Sequence, residues 1–299
     1  ARRAWEALLA DPTDPRATRA IAGDPYPPGS PFKLVTAAAA LETGLTAETP
    51  VPAPDSLPLP NSTAVLQNYG GNRCSPTGAS TLLDAMRISC NTAFGQLGLD
   101  LGADAIRRQA EAFGFGTRYE IPQRVTPSRF PAEGAIDAPQ TALAAIGQYD
   151  VRVTPLQVAM ITAAIANSGL EMAPYLVQTV RSQDLTVVSS TEPRALGRPL
   201  TPTTAAALTQ MMTAVVASGT GTSAQIPGVT VAGKTGTAQT VEGAAPHAWF
   251  TAFAPAEAPR VAVAVVVENG GSVGGEATGG RVAAPIARAV IQAALGGGS

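Results

Sequence analysis

Helix signals fill most of the first half of this 299-residue chain, and strand signals gather in its second half. Runs that segregate in this way predict an α+β fold, a helical lobe packed against an antiparallel sheet with a C-terminal helix. Hydrophobic residues, at 45%, supply ample core material. In chain order, Ala4 to Ala10 reads as a short amphipathic stretch, followed by Asp/Pro-rich turns within residues 1–29. Ser30-Pro31 and the Ala-rich run to Leu41 predict a helix, because proline suits a first turn and alanine propagates it. A Pro-rich loop, Pro50 to Pro60, and a Gly/Asn/Pro cluster, Asn68 to Gly78, break up the first third. Thr154-Pro155 and Thr201-Pro202 each start a helix with an N-cap and a first-turn proline, and these stop at Asn167-Ser168-Gly169 and Ser218-Gly219. Tyr175 to Val180 and Leu185 to Ser189 flank Ser182-Gln183-Asp184 and predict a hairpin. Val229 to Ala232, Ala248 to Ala254 and Arg260 to Val267 are predicted sheet strands, and Val282 to Leu295 a closing helix.

Composition removes several functions. Charged residues make up only 14% and the net charge is -2, so no basic field exists to hold a nucleic acid. The longest unbroken apolar run, Val261 to Val267, is far shorter than a membrane span. One histidine, His247, and two cysteines, Cys74 and Cys90, cannot assemble a Cys/His zinc site of the usual ligand count. A Ser-His-Asp triad would have to use His247, which has no nucleophile or acid at a recognisable spacing and reads as structural. Trp249 and Phe250 read as core.

The basic residues are lopsided: of 20, only Lys33 and Lys234 are lysine. Where arginine is the default cation, a retained lysine marks a place for a group that can lose its proton or act as a compact charge. Ser30 and Lys33 stand three residues apart, one turn from each other at the start of a helix, where its dipole favours developing negative charge. That is an activated-nucleophile arrangement with lysine in place of histidine. The alternative is a plain capping serine beside a solvated lysine. Lys234-Thr235-Gly236-Thr237 follows an apolar strand with small residues that let a ligand lie along a strand edge. Its hydroxyls and ammonium suit a carboxylate. Between the two lysines lies Ser89-Cys90-Asn91.

Ser-x-x-Lys, Ser-x-Asn and Lys-Thr-Gly, in that order, resemble the signature of penicillin-binding proteins and serine β-lactamases. The resemblance extends to Tyr26-Pro27-Pro28-Gly29-Ser30, Ile146-Gly147-Gln148, Val153 to Ala159, Ala163 to Asn167, Lys234 to Gln239, His247 to Phe250 and Ala283 to Ile286. It covers most of residues 26–295 and is strongest for the class B penicillin-binding proteins. It implies their transpeptidase fold, a helical lobe against a five-stranded antiparallel sheet, over residues 30–299, with 1–29 as a lead-in. It also implies that Ser30 is acylated, Lys33 is its general base, Ser89 relays a proton, and Asn91 fixes Lys33 and the substrate amide. Lys234, Thr235 and Thr237 would bind the substrate carboxylate, Gly236 would also be substrate-binding, and the N–H groups of Ser30 and Thr237 would form the oxyanion hole.

The activity so implied is peptidoglycan D,D-transpeptidation on D-Ala-D-Ala stem peptides, with β-lactams as covalent inhibitors and no cofactor or metal. The implied place is the extracytoplasmic face of the membrane, among cell-wall assembly proteins of division or elongation. There, a Cys74–Cys90 disulfide is expected, the alternative being two buried thiols. Competing readings are a D,D-carboxypeptidase or β-lactamase, a β-lactam-sensing receptor domain, and a catalytically silent scaffold. No Glu-x-x-Leu-Asn deacylation motif occurs, which weighs against one class of lactamase. The family's membrane helix, pedestal domain and early Asp-x-x-Thr-Gly strand are not found before Ser30.

Overall fold

A helix built from small apolar residues can be surrounded on every side, and α2 (Lys33–Glu42) is buried continuously from Lys33 to Leu41. Around it pack α4 (Asn91–Leu101), α5 (Ala103–Ala112) and α8 (Pro202–Ser218). The computed structural model describes residues 2–11, 18–119, 121–240 and 243–297. The helical lobe also holds α3 (Leu82–Arg87), α6 (Ala138–Ala145) and α7 (Pro155–Ala166). Thr154 and Thr201 cap α7 and α8 by accepting from the Gln157 and Thr204 N–H groups, each ahead of a first-turn proline. Upstream, α1 (Arg2–Ala10) buries none of its residues. The Asp/Pro-rich turns expected after it fall largely at 12–17, outside the described residues.

Four short strands interrupt the lobe: β1 (Pro50–Pro52) pairs with β4 (Ala79–Thr81), and β2 (Ser56–Pro58) with β3 (Val65–Gln67). Beyond α7, β5 (Glu171–Met172) pairs with β8 (Ala195–Gly197), and β6 (Thr179–Arg181) with β7 (Val187–Ser190). The hairpin is thus shorter than its sequence suggests. Asp184 accepts from Ser182 Oγ and Thr186 N, and Leu185 takes a positive φ of 67°. Leu185 therefore belongs to the turn.

The main sheet has the order β11-β10-β9, all antiparallel, with β9 (Ala232–Ala238), β10 (His247–Ala254) and β11 (Val261–Val267). Among the described residues this sheet has three strands rather than the five implied by resemblance. Every residue of β10 is buried because both of its faces are covered. Trp249 and Phe253 join the helical core, whereas Phe250, Ala252 and Ala254 pack with Ala284, Ala287 and Ile291 of α9 (Ala284–Gly296). Thr251 crosses to α7 through a 2.6 Å bond to Thr162.

Two boundaries differ from the sequence reading. Val229 bridges Ile226 in a separate tight turn, and the strand starts at Ala232, so Lys234-Thr235-Gly236 lies within the ladder rather than after it. The register places Lys234 opposite Thr251 and Gly236 opposite Trp249. The last helix begins at Ala284 because Gly279–Ala283 forms a wider π-type turn capped by Thr278.

Candidate active site

Three backbone turns bring the sequence motifs to one cleft. Ser30–Phe32 forms a 3-10 turn whose end continues into α2, so Ser30 precedes Lys33 by one tight turn. Gly29 before it has φ 58°, and a Cβ there would lie 2.9 Å from Thr237 O. Gly236 faces the Pro31 ring so closely that any side chain would collide with it. Glycine at both positions lets β9 lie directly against the serine turn.

Ser89 occupies the second turn. Its N–H donates to Met86 O and that of Cys90 to Ala85 O, the paired bonds of a Schellman helix end. Ser89 is the left-handed residue of that motif, at φ 61°, where glycine is the usual choice. A side chain is retained at a strained position, and its hydroxyl lies between both lysines. Lys33 Nζ donates to Ser89 O (2.7 Å), Asn91 Oδ1 (2.8 Å) and Ser89 Oγ (3.3 Å). Lys234 Nζ reaches Ser89 Oγ at 2.8 Å and Thr235 O at 3.0 Å. Cys90, between the two motif residues, is bonded to Cys74 with S–S 2.09 Å. This bond ties the motif to the Asn68–Gly78 segment.

Above these groups opens a cleft of about 460 Å³, lined by Ser30, Ser89, Asn91, Thr235, Gly236 and Thr237 among others. Lys33 and Lys234 lie beneath it, both fully buried. Burial pushes the Lys33 pKa well below the ordinary lysine value, and the like charge of Lys234 pushes it the same way. Burial alone lowers Lys234 to about 7. Two ammonium groups sharing one hydroxyl in a water-poor site repel, so the arrangement favours one neutral and one charged lysine. A neutral amine, two hydroxyls and a cation around a cleft are the components of acyl transfer. Among the described residues no hydrogen bond links Ser30 to either lysine; Lys33 is held by Asn91 and Ser89 instead. Nucleophile–base bonds of this kind often tighten only when substrate is bound.

All the residues singled out from the three motifs converge on this cleft or its floor. Sequence reasoning missed Thr220, whose hydroxyl lies 2.5 Å from that of Thr235, and Asn68, buried behind Asn91. Thr278 and Gly279 complete the far wall. None of these has a local motif; each is brought in by tertiary packing. His247 faces away from the chemistry: its Nδ1 accepts from Asn269 N at 3.0 Å and its ring meets the edge of Tyr26.

Known proteins resemble this arrangement over nearly the whole chain. The penicillin-binding protein transpeptidase domain family matches residues 7–292. Peptidoglycan D,D-transpeptidase PbpA of Mycolicibacterium smegmatis is 46% identical over 300 residues, 99% of this chain and 60% of its own length. PbpA of Mycobacterium tuberculosis is 47% identical over 304 residues, with the same shares covered. The structure of penicillin-binding protein A from M. tuberculosis as a ceftriaxone acyl-enzyme complex matches with a TM-score of 0.93 at 46% identity, over 98% of this chain and 66% of that one. The chain therefore spans about 60% of the length of these curated relatives. Motifs, fold and similarity agree, and the chain belongs to the penicillin-binding protein transpeptidase domain family.

Proposed function

We propose that the chain is the catalytic part of a peptidoglycan D,D-transpeptidase that is acylated on Ser30 by D-Ala-D-Ala stem peptides. The observation that carries this reading is the pair of fully buried lysines meeting at Ser89 Oγ beneath the cleft that holds Ser30. Charged Lys234, with Thr235 and Thr237, binds the terminal carboxylate along β9, where Gly236 leaves room. Neutral Lys33 takes the Ser30 proton as Oγ attacks the penultimate carbonyl. The N–H groups of Ser30 and Thr237 hold the developing oxyanion. The carbonyl–nitrogen bond then breaks, and Ser89 delivers a proton to the departing D-alanine nitrogen while the Lys33 ammonium passes its proton to Ser89 Oγ, which returns Lys33 to the neutral amine. An acceptor amine from a neighbouring stem reverses these steps: it attacks the ester, gives up its proton through the same relay, and restores Ser30. A β-lactam carries a strained amide in place of the D-Ala-D-Ala bond and acylates the same oxygen, in keeping with the ceftriaxone acyl-enzyme of the M. tuberculosis relative.

The place of action follows from the same reading: the extracytoplasmic face of the membrane, with the whole protein anchored and working among cell-wall assembly proteins. The Cys74–Cys90 bond supports this, since such bonds persist outside the reducing cytosol. The test is incubation with a D-Ala-D-Ala-terminated donor peptide and an amine acceptor. Cross-linked product that rises with acceptor concentration, together with released D-alanine, is the expected outcome. Release of D-alanine by hydrolysis alone would make the domain a carboxypeptidase. A stable acyl-enzyme that never transfers would make it a sensor.

A further inference from the structure

The helix that carries Asn91 starts without a cap of its own. Cys90 stands in the N-cap position of α4 and makes no side-chain cap bond, its sulfur being committed to Cys74. The first N–H groups of a helix need partners, most of all when buried. Thr92 is fully buried. Both N–H groups are satisfied by one side chain from another segment: Asn68 Oδ1 accepts from Asn91 N at 2.9 Å and from Thr92 N at 3.0 Å. Asn68 Nδ2 donates to Thr92 Oγ1 at 3.3 Å, and that hydroxyl donates to Pro54 O at 2.7 Å. The adjacent Gln67 O accepts from Asn91 Nδ2 at 3.1 Å.

Asn91 is thereby gripped at its backbone by Asn68 and at its amide nitrogen by Gln67. Its amide oxygen is turned toward Lys33. On the reading above, that oxygen holds the general base. We propose that Asn68 is a positioning residue for acyl transfer: a cap supplied in trans that sets Asn91, and through it Lys33, at the geometry the proton transfer requires. This rests on the assignment of Ser30 and Lys33 as nucleophile and base. Asn68 has its polar atoms occupied by α4 and acts through Asn91.

The experiment measures acylation by a chromogenic β-lactam, separating non-covalent affinity from the acylation rate constant across pH. Asn68→Leu fills nearly the same volume and offers no acceptor. Its acylation rate constant should fall about 10- to 100-fold, the range expected when a reacting group is displaced by about an ångström, with a smaller loss of non-covalent affinity because Asn91 also lines the cleft. Asn68→Asp keeps both acceptor bonds, and its second oxygen competes with Pro54 O for the one Thr92 hydroxyl proton. Its plateau rate should return to within about threefold of wild type. The acid limb of its profile should move to higher pH by about one unit, because a carboxylate two hydrogen bonds from Lys33 favours the ammonium form over the neutral base, against the opposing charge of Lys234.

Wild-type rate and profile in Asn68→Leu would overturn the proposal, as would an Asn68→Asp variant no faster than Asn68→Leu. If Asn68→Leu does not fold, the Asn68→Asp profile decides alone, and an unmoved acid limb overturns the proposal. A wild-type protein that forms no adduct on Ser30 refutes instead the functional reading beneath it, so the two failures are distinguishable.

Discussion

Ser89 keeps a side chain at a backbone position that favours glycine, and its hydroxyl meets both lysines. At the left-handed position of a helix end an L-residue with a Cβ costs about 1 kcal/mol more than glycine. Ser89→Gly and Ser89→Ala both remove the hydroxyl shared by the lysines and both should lose most acyl transfer. Their stabilities should rank opposite to the usual order, with the glycine variant about 1 kcal/mol more stable and its denaturant midpoint higher; equal midpoints would argue against backbone strain at this site. The two lysines make a second contrast. Lys33→Arg keeps a charge but removes the proposed base, since a guanidinium does not deprotonate, and acylation should fall about 10²- to 10⁴-fold. Lys234→Arg keeps the cation needed for a carboxylate and should cost less. Lys234→Met removes the like charge that helps depress the Lys33 pKa, so the acid limb of the acylation profile should move to higher pH. Equal losses in the two arginine variants, or a limb moving the other way, would mean that the lysines have been assigned the wrong roles.

At the scale of elements, the cleft depends on segments being pinned from outside their own sequence. The Cys74–Cys90 bond spans 16 residues and restrains the unfolded chain, a contribution of about 3 kcal/mol in the loop-entropy account. It also holds the Asn68 segment against the first turn of α4. Elsewhere, β5 is attached to the lobe at a cost. Glu171 is 3% exposed, its Oε1 has no hydrogen-bond partner among the described residues, and burial raises its pKa to about 7. The unfolded chain ionises this carboxyl near 4.5, so the folded state binds the extra proton and stability falls as pH rises from about 4.5 to 7. Glu171→Gln should flatten that part of the stability profile. At pH 8 it should be more stable than wild type by about 1 to 3 kcal/mol in denaturant titrations. A less stable glutamine variant at pH 8 would show that the ionised carboxylate has a partner after all.

Over the whole molecule, the candidate site was legible wherever its members are neighbours in sequence. Ser30 and Lys33 share one turn, and Lys234 to Thr237 share one strand edge, so local spacing and the scarcity of lysine were enough to single them out. The caps at Thr154 and Thr201 were legible for the same reason: a hydroxyl before a proline acts within its own turn. Asn68 and Thr220 were not legible, because their partners lie 23 and 15 residues away and only packing reveals them. The start of β9 was misplaced because pairing with β10, rather than the β-branched residues Val229 to Val231, decides where the ladder begins. The mostly apolar character of β10 was informative only once helices were seen on both faces of the sheet.

The central claim is that Ser30 is a nucleophile activated by a lysine buried below the cleft. Intact-mass measurement after incubation with a penicillin, followed by peptide mapping over hours, tests it most directly. One added penicillin per chain is expected, located on Ser30, persisting for hours and absent from Ser30→Ala. An unmodified wild-type protein, or an adduct that survives in Ser30→Ala, would contradict it.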